Sequence, residues 1–140
     1  MFTGKGASLM RILIVEDDEA SMFVLSSYLK AFGTVETASD GEAGVEAVRR
    51  SLEQGSPFHL VCLDIMMPKL DGQAVLKQVR ALEGEFNVPA GKGTKVIMTT
   101  ALGDRENLLE ALPQCDAYLQ KPIDRAQLHF YMKRLGLLDH

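Results

Sequence analysis

Residues 60–72 read Leu60-Val61-Cys62-Leu63-Asp64-Ile65-Met66-Met67-Pro68-Lys69-Leu70-Asp71-Gly72. The apolar run Leu60–Leu63 ends in a single acid, Asp64. A run that is continuously apolar rather than alternating suits a strand covered on both faces, as in a parallel sheet. Working outward, similar runs stand at Arg11–Val15 and Lys95–Thr99, with a weaker one at Ala117–Gln120. A fifth, Thr34–Ala38, is more polar and fits a sheet edge.

Segments of helical character separate these runs. Glu19 to Phe32 carries apolar residues at 22, 25, 28, 29 and 32 and is followed by Gly33, a residue type that stops helices at C′. Asp40 is placed to cap Gly41–Leu52, and Gln73–Leu82, Arg105–Leu112 and Asp124–Leu135 complete five. Five strand-then-helix repeats with right-handed crossovers predict an α/β fold: a doubly wound, five-stranded parallel sheet flanked by five helices. The expected strand order is 2-1-3-4-5, which sets strand 1 beside strand 3 at the switch point.

The chain has 140 residues, 46% hydrophobic and 24% charged, enough for one packed domain and unlike a disordered chain. Fifteen Lys and Arg against nineteen Asp and Glu leave a net charge of −4. That is the wrong sign for a domain that neutralises nucleic-acid phosphates, so direct DNA binding is not expected. No apolar run approaches the ~18 residues of a membrane span, and Met1–Leu9 lacks a signal-peptide core. The expectation is a cytoplasmic protein in which residues 1–9 form an N-terminal extension, with Met10 placed to serve as an alternative start directly before the first strand. Cys62 and Cys115 are not spaced as a zinc site, and Cys62 reads as a small buried hydrophobe. Glu83–Thr94 is about twice the usual ~2–6-residue connection between helix and strand. It reads as a tolerated surface insertion, with a partner-binding loop as the alternative.

Ligands of such sheets bind beyond the carboxyl ends of the strands. There the chain places Glu16-Asp17-Asp18, Asp64, Thr99-Thr100-Ala101 and Lys121-Pro122. Carboxylates converging between strands 1 and 3 repel one another and call for a cation. Oxygen-only ligands point to Mg²⁺, and no twelve-residue calcium loop is present. A metal, a carboxylate, a hydroxyl and an ammonium around one point suit phosphoryl transfer to that carboxylate. Each group alone has a plainer reading: Asp18 as a helix cap, Thr100 as a β-former, Lys121 as a solvated side chain. Four strand ends carrying the right groups together make the signal.

These residues resemble the receiver domains of two-component response regulators over about 10–137, a flavodoxin-like fold of the CheY type. The resemblance rests on Glu16-Asp17, on Leu63 to Gly72 with Met67-Pro68 and Asp71-Gly72, on Thr100-Ala101, and on Tyr118-Leu119-Gln120-Lys121-Pro122. It implies that Asp64 is the phosphoacceptor, and that Asp17 binds Mg²⁺ directly and Glu16 through water, with the Met66 main-chain carbonyl a further ligand. It also implies that Thr100 and Lys121 engage the phosphoryl group, that Tyr118 changes rotamer on activation, and that Lys121–Pro122 is cis. Met66 and Leu102, two residues after the phosphoacceptor and the threonine, are apolar and offer no general base, so slow self-dephosphorylation is expected.

The expected function is that of a standalone receiver with no effector domain, phosphorylated by a sensor histidine kinase and signalling through helix 4, strand 5 and helix 5. It would act on a downstream target protein or form a homodimer through that face, and would catalyse only its own phosphorylation and dephosphorylation. Phe130, opposite the apolar stripe of helix 5, is a candidate contact there. The alternative is a phosphorelay intermediate passing phosphate to a histidine phosphotransfer domain. A remote one is a Mg²⁺-dependent phosphatase of the haloacid dehalogenase kind, for which Met66 stands where a second acid is needed. Nucleotide binding is weaker still, because Glu16-Asp17-Asp18 replaces a glycine-rich cradle.

Overall fold

The computed structural model describes residues 10–67, 70–101, 103 and 105–138. The elements alternate as β1 (Arg11–Val15), α1 (Glu19–Leu29), β2 (Thr34–Ala38), α2 (Gly41–Glu53), β3 (Leu60–Asp64), α3 (Gly72–Glu85), β4 (Lys95–Thr100), α4 (Arg105–Ala111), β5 (Ala117–Gln120) and α5 (Arg125–Arg134). All pairings are parallel and the sheet order is β2-β1-β3-β4-β5. The expected topology is thus present, with polar β2 at one edge. No helix among the described residues is long and apolar enough to cross a membrane.

The strand runs are apolar throughout because alternate residues feed two cores. Leu13, Val15, Val61, Leu63, Val96 and Met98 pack on one face with Val45 and Val48 of α2 and Val75, Leu76, Val79 and Leu82 of α3. Ile12, Ile14, Leu60, Cys62, Ile97 and Leu119 pack on the other with Leu25 and Leu29 of α1 and Leu128 and Met132 of α5. Each such aliphatic side chain contributes about 1.5–3 kcal/mol by leaving water, so the two faces together dominate stability. Burial pushes the Cys62 thiol up to about 12, which leaves it an inert packing group, as expected.

Aspartates set the helix starts. Asp18, Asp40, Asp71 and Asp124 each accept a hydrogen bond from the backbone N–H three residues on, at Ser21, Ala43, Ala74 and Gln127. Two ends differ from expectation by more than one residue. The first helix stops at Leu29 rather than Phe32, with Lys30 as its C-cap, and Gly33 is not among the residues of positive φ. Phe32 instead turns back to pack on the α1 and α5 side of the sheet. The third helix runs on to Glu85, so the long connection shortens to residues 86–94.

Arg80 explains that extension. Its guanidinium binds Glu83 (2.8 Å), the Thr94 carbonyl (2.9 Å), the Gln114 carbonyl (3.1 Å) and Asp116 (3.1 Å). Glu83 in turn accepts from the Thr94 N–H, and Asp116 from the Val96 N–H. One side chain therefore ties α3 to the segment before β4 and to the turn before β5.

Gly72 opens α3 against the end of β3. A Cβ at this position would run into the Asp64 carbonyl oxygen and stand 2.6 Å from Ile65 Cα, both backbone atoms that cannot yield. The Gly72 N–H meanwhile donates to the Ile65 carbonyl (2.9 Å). Gly72→Ala is expected to lower the free energy of unfolding by about 1–3 kcal/mol, the usual cost of overpacking, read as a lower urea midpoint at unchanged m.

Candidate functional site

The pairing of β1 with β3 places Val15 beside Leu63, so the residues that follow each strand meet at one mouth. One carboxylate oxygen each from Glu16, Asp17 and Asp64 lie within 4.8 Å of one another. Glu16 and Asp64 are buried and Asp17 is exposed. Glu16 is anchored by its own N–H, which donates to the Ala38 carbonyl (3.0 Å), and its Oε2 accepts from the Asp18 N–H (3.1 Å). Asp64 Oδ1 accepts from the Met66 N–H (3.3 Å).

Lys121 enters from β5, two strands away. Its Nζ lies 2.9 Å from Glu16 Oε1 and 3.4 Å from Asp64 Oδ2. Glu16 Oε1 has no aligned hydrogen-bond donor, so the ammonium holds it by charge and the oxygen keeps acceptor capacity. The Lys121–Pro122 peptide is cis, as the sequence resemblance implied. The Lys121 N–H donates to the Thr100 carbonyl (2.7 Å), which fixes these two residues as neighbours. Thr100 is buried at the end of β4, one residue beyond the Asp64–Thr99 pair, and Tyr118 on β5 is half exposed. The expected residues therefore gather at one end of the sheet, except Leu102, which lies outside the described residues together with residues 1–9. The Asp18–Glu16 bond and the close approach of Gly72 were not read from the sequence. The acidic run and the Asp-Gly pair are their only traces there.

The electrostatics follow from burial. Desolvation pushes the Asp64 carboxyl up to about 7, reinforced by the adjacent Glu16 and opposed by Lys121 and by the Met66 N–H. Burial works against the Lys121 ammonium, but its contacts with Glu16 and Asp64 outweigh this and raise its pKa. Three carboxylates against one ammonium leave excess negative charge in a partly buried, all-oxygen cluster. Such a donor set fits a hard divalent cation of the Mg²⁺ class.

A family model for the response regulator receiver domain matches residues 12–133. The chain belongs to that family. The receiver domain is 34% identical over 128 residues to the transcriptional regulatory protein RprY of Bacteroides fragilis, covering 90% of this chain and 49% of that one. It is 26% identical over 132 residues to the two-component response regulator ORR41 of rice, covering 92% of this chain and 96% of that one. The receiver thus spans about half the length of RprY and nearly all of ORR41. Among solved structures, the receiver domain of the histidine kinase CKI1 from Arabidopsis thaliana, complexed with Mg²⁺ and BeF₃⁻, superposes with a TM-score of 0.75 at 26% identity. That match covers 95% of this chain and 93% of the other. Receivers of this kind are signalling domains of two-component systems rather than turnover enzymes.

Because the folded pKa of Asp64 lies above its ordinary value of 3.8, the folded state holds this proton more tightly between about pH 4 and pH 7. Stability in a chelator is therefore expected to fall as pH rises through that window and to level off above it. Asp64→Asn should flatten the curve there, as measured by urea midpoints against pH.

Proposed function

We propose that Asp64 accepts a phosphoryl group from a sensor histidine kinase, and that the added charge shifts the α4, β5 and α5 face toward a partner-binding state. The observation that carries this reading is the Lys121 ammonium poised between Glu16 and Asp64 at the carboxyl ends of β1 and β3. Asp17, Asp64 and the Met66 carbonyl, with Glu16 through water, would hold Mg²⁺. Bound there, the ion offsets charge on the phosphoryl oxygens.

An Asp64 oxygen attacks phosphorus in line, forming an acyl phosphate. The P–N bond of the donor phosphohistidine breaks, and the imidazole nitrogen keeps the electron pair and takes up a proton. A carboxylate is thereby replaced by a group with more charge and three strong acceptor oxygens. Lys121 and the Thr100 hydroxyl gain a partner, and Tyr118 on the neighbouring strand turns inward as Thr100 moves. The outcome is a population shift between two surfaces of one fold. Leu109, Leu112, Tyr118 and Phe130 leave large apolar groups exposed on the α4, β5 and α5 side, which suits a downstream protein or a second receiver. Phe130 is 53% exposed and stacks edge-on against Tyr131, consistent with its place opposite the core stripe of α5.

The lifetime of the signal depends on water reaching the acyl phosphate. The Met66 side chain is half exposed beside Asp64 and carries no group able to orient or deprotonate a water.

Incubation with a small phosphodonor and Mg²⁺ is expected to add one phosphoryl group to the wild type by intact mass and none to Asp64→Asn. An adduct that survives the substitution overturns the assignment. In the same assay Met66→Asn is expected to speed loss of the phosphoryl group several-fold. An equal or longer lifetime removes the role given to Met66.

A further inference from the structure

The long connection before β4 has no part in the phosphoryl site, yet it forms one wall of a second cleft. This cleft lies at the other end of the sheet, where β1, β3 and β4 begin, and measures about 630 Å³. That is within the ~300–1,000 Å³ range of small-molecule sites. Arg11, His59, Lys92 and Lys95 line it, together with apolar Leu52 and Leu137.

Four observations give it a chemistry. In a domain of net charge −4, three cations surround this one opening, and among the described residues none of Arg11, Lys92 and Lys95 is ion-paired. The acid that also lines the cleft, Glu83, is already engaged by Arg80 and by the Thr94 N–H. Two further lining groups, Arg11 Nη1 and Thr94 Oγ1, are buried without a hydrogen-bond partner, a state that native interiors rarely leave unexplained. His59 Nδ1 accepts the Arg11 N–H (3.0 Å), which leaves Nε2 as the ring's spare donor.

The frame is preorganised. The His59 N–H donates to the Arg11 carbonyl (2.9 Å) and the Lys95 N–H to the His59 carbonyl (3.0 Å), so these three residues are laced together by the first rungs of the sheet. The Arg11 guanidinium sits 4.6 Å over the Phe58 ring. On the opposite wall Gly93 packs where any Cβ would strike the Glu83 carboxylate, which brings Lys92 and Thr94 up to the opening.

We propose that this cleft binds a small organic anion. Its phosphate- or carboxylate-type head is held by Arg11, Lys92 and Lys95, and its apolar body lies against Leu52 and Leu137. The site is independent of the phosphoryl reading and stands at the end of the sheet opposite the carboxylates, so the two are separable by experiment. Phenylphosphonate, which has no transferable phosphoryl group, is titrated into ¹⁵N-labelled protein in EDTA, with benzoate and neutral phenol in parallel. Saturable amide shifts at Arg11, His59, Thr94 and Lys95 are expected with phenylphosphonate, weaker ones with benzoate and none with phenol. Lys92→Gln, which alters only an exposed side chain, is expected to weaken phenylphosphonate several-fold. Lys92→Gln with Lys95→Gln should weaken it about tenfold or more, the scale of one to two charge-assisted hydrogen bonds. Absence of saturation, equal shifts with phenol, or an affinity unchanged in the double variant overturns the proposal.

Discussion

The mouth of this domain is organised by like-charge repulsion that the fold itself imposes. Parallel pairing of β1 with β3 brings Glu16, Asp17 and Asp64 within 4.8 Å of one another, and Lys121 is the ammonium that reaches them. Glu16 and Asp64 are buried, so the repulsion is not relieved by water. A proton on Asp64, a divalent cation or a redistributed Lys121 each relieves part of it. The same electrostatic strain underlies both the cation site and the phosphoryl chemistry proposed for this mouth.

Holding such a cluster requires rigidity that its own residues do not supply. Leu63 and Ile65 on either side of Asp64 are fully buried, and the Ile65 N–H is bonded to the Thr99 carbonyl. Gly72 brings the start of α3 hard against the same segment. Lys121 is tied to Thr100 by a main-chain bond, so the ammonium and the hydroxyl project from adjacent backbone positions. Two apolar cores, one on each face of the sheet, fix the strand ends with far more energy than the few kcal/mol any single charge contact contributes.

Much of this was legible in the chain. Uninterrupted apolar runs at Ile12–Val15 and Leu60–Leu63 suit strands buried on both faces, and their alternation with helical segments points to helices above and below a parallel sheet. The strand-end acids and Lys121 were legible because topology, rather than side-chain detail, brings them together. What escaped was set by tertiary contacts. The first helix ends at Leu29 because Phe32 is drawn to the core, not because Gly33 halts it. The third runs to Glu85 because Arg80 and Glu83 find Thr94, Gln114 and Asp116, partners up to 36 residues away that no local pattern marks. The basic cleft was invisible for a related reason, since Arg11, His59 and Lys92 are widely spaced until the sheet brings the starts of β1, β3 and β4 together.

The shortest helix gives the architecture a further meaning. At seven residues, α4 is well below the ~12–15 at which a helix begins to persist alone, so its place is set by its neighbours. Its far end leads into a turn clamped by Arg80, whereas its near end follows Thr100 and Gly103, the latter at a φ of +103°. A helix this short, tethered through the turn that follows it, keeps its position only as long as that turn does.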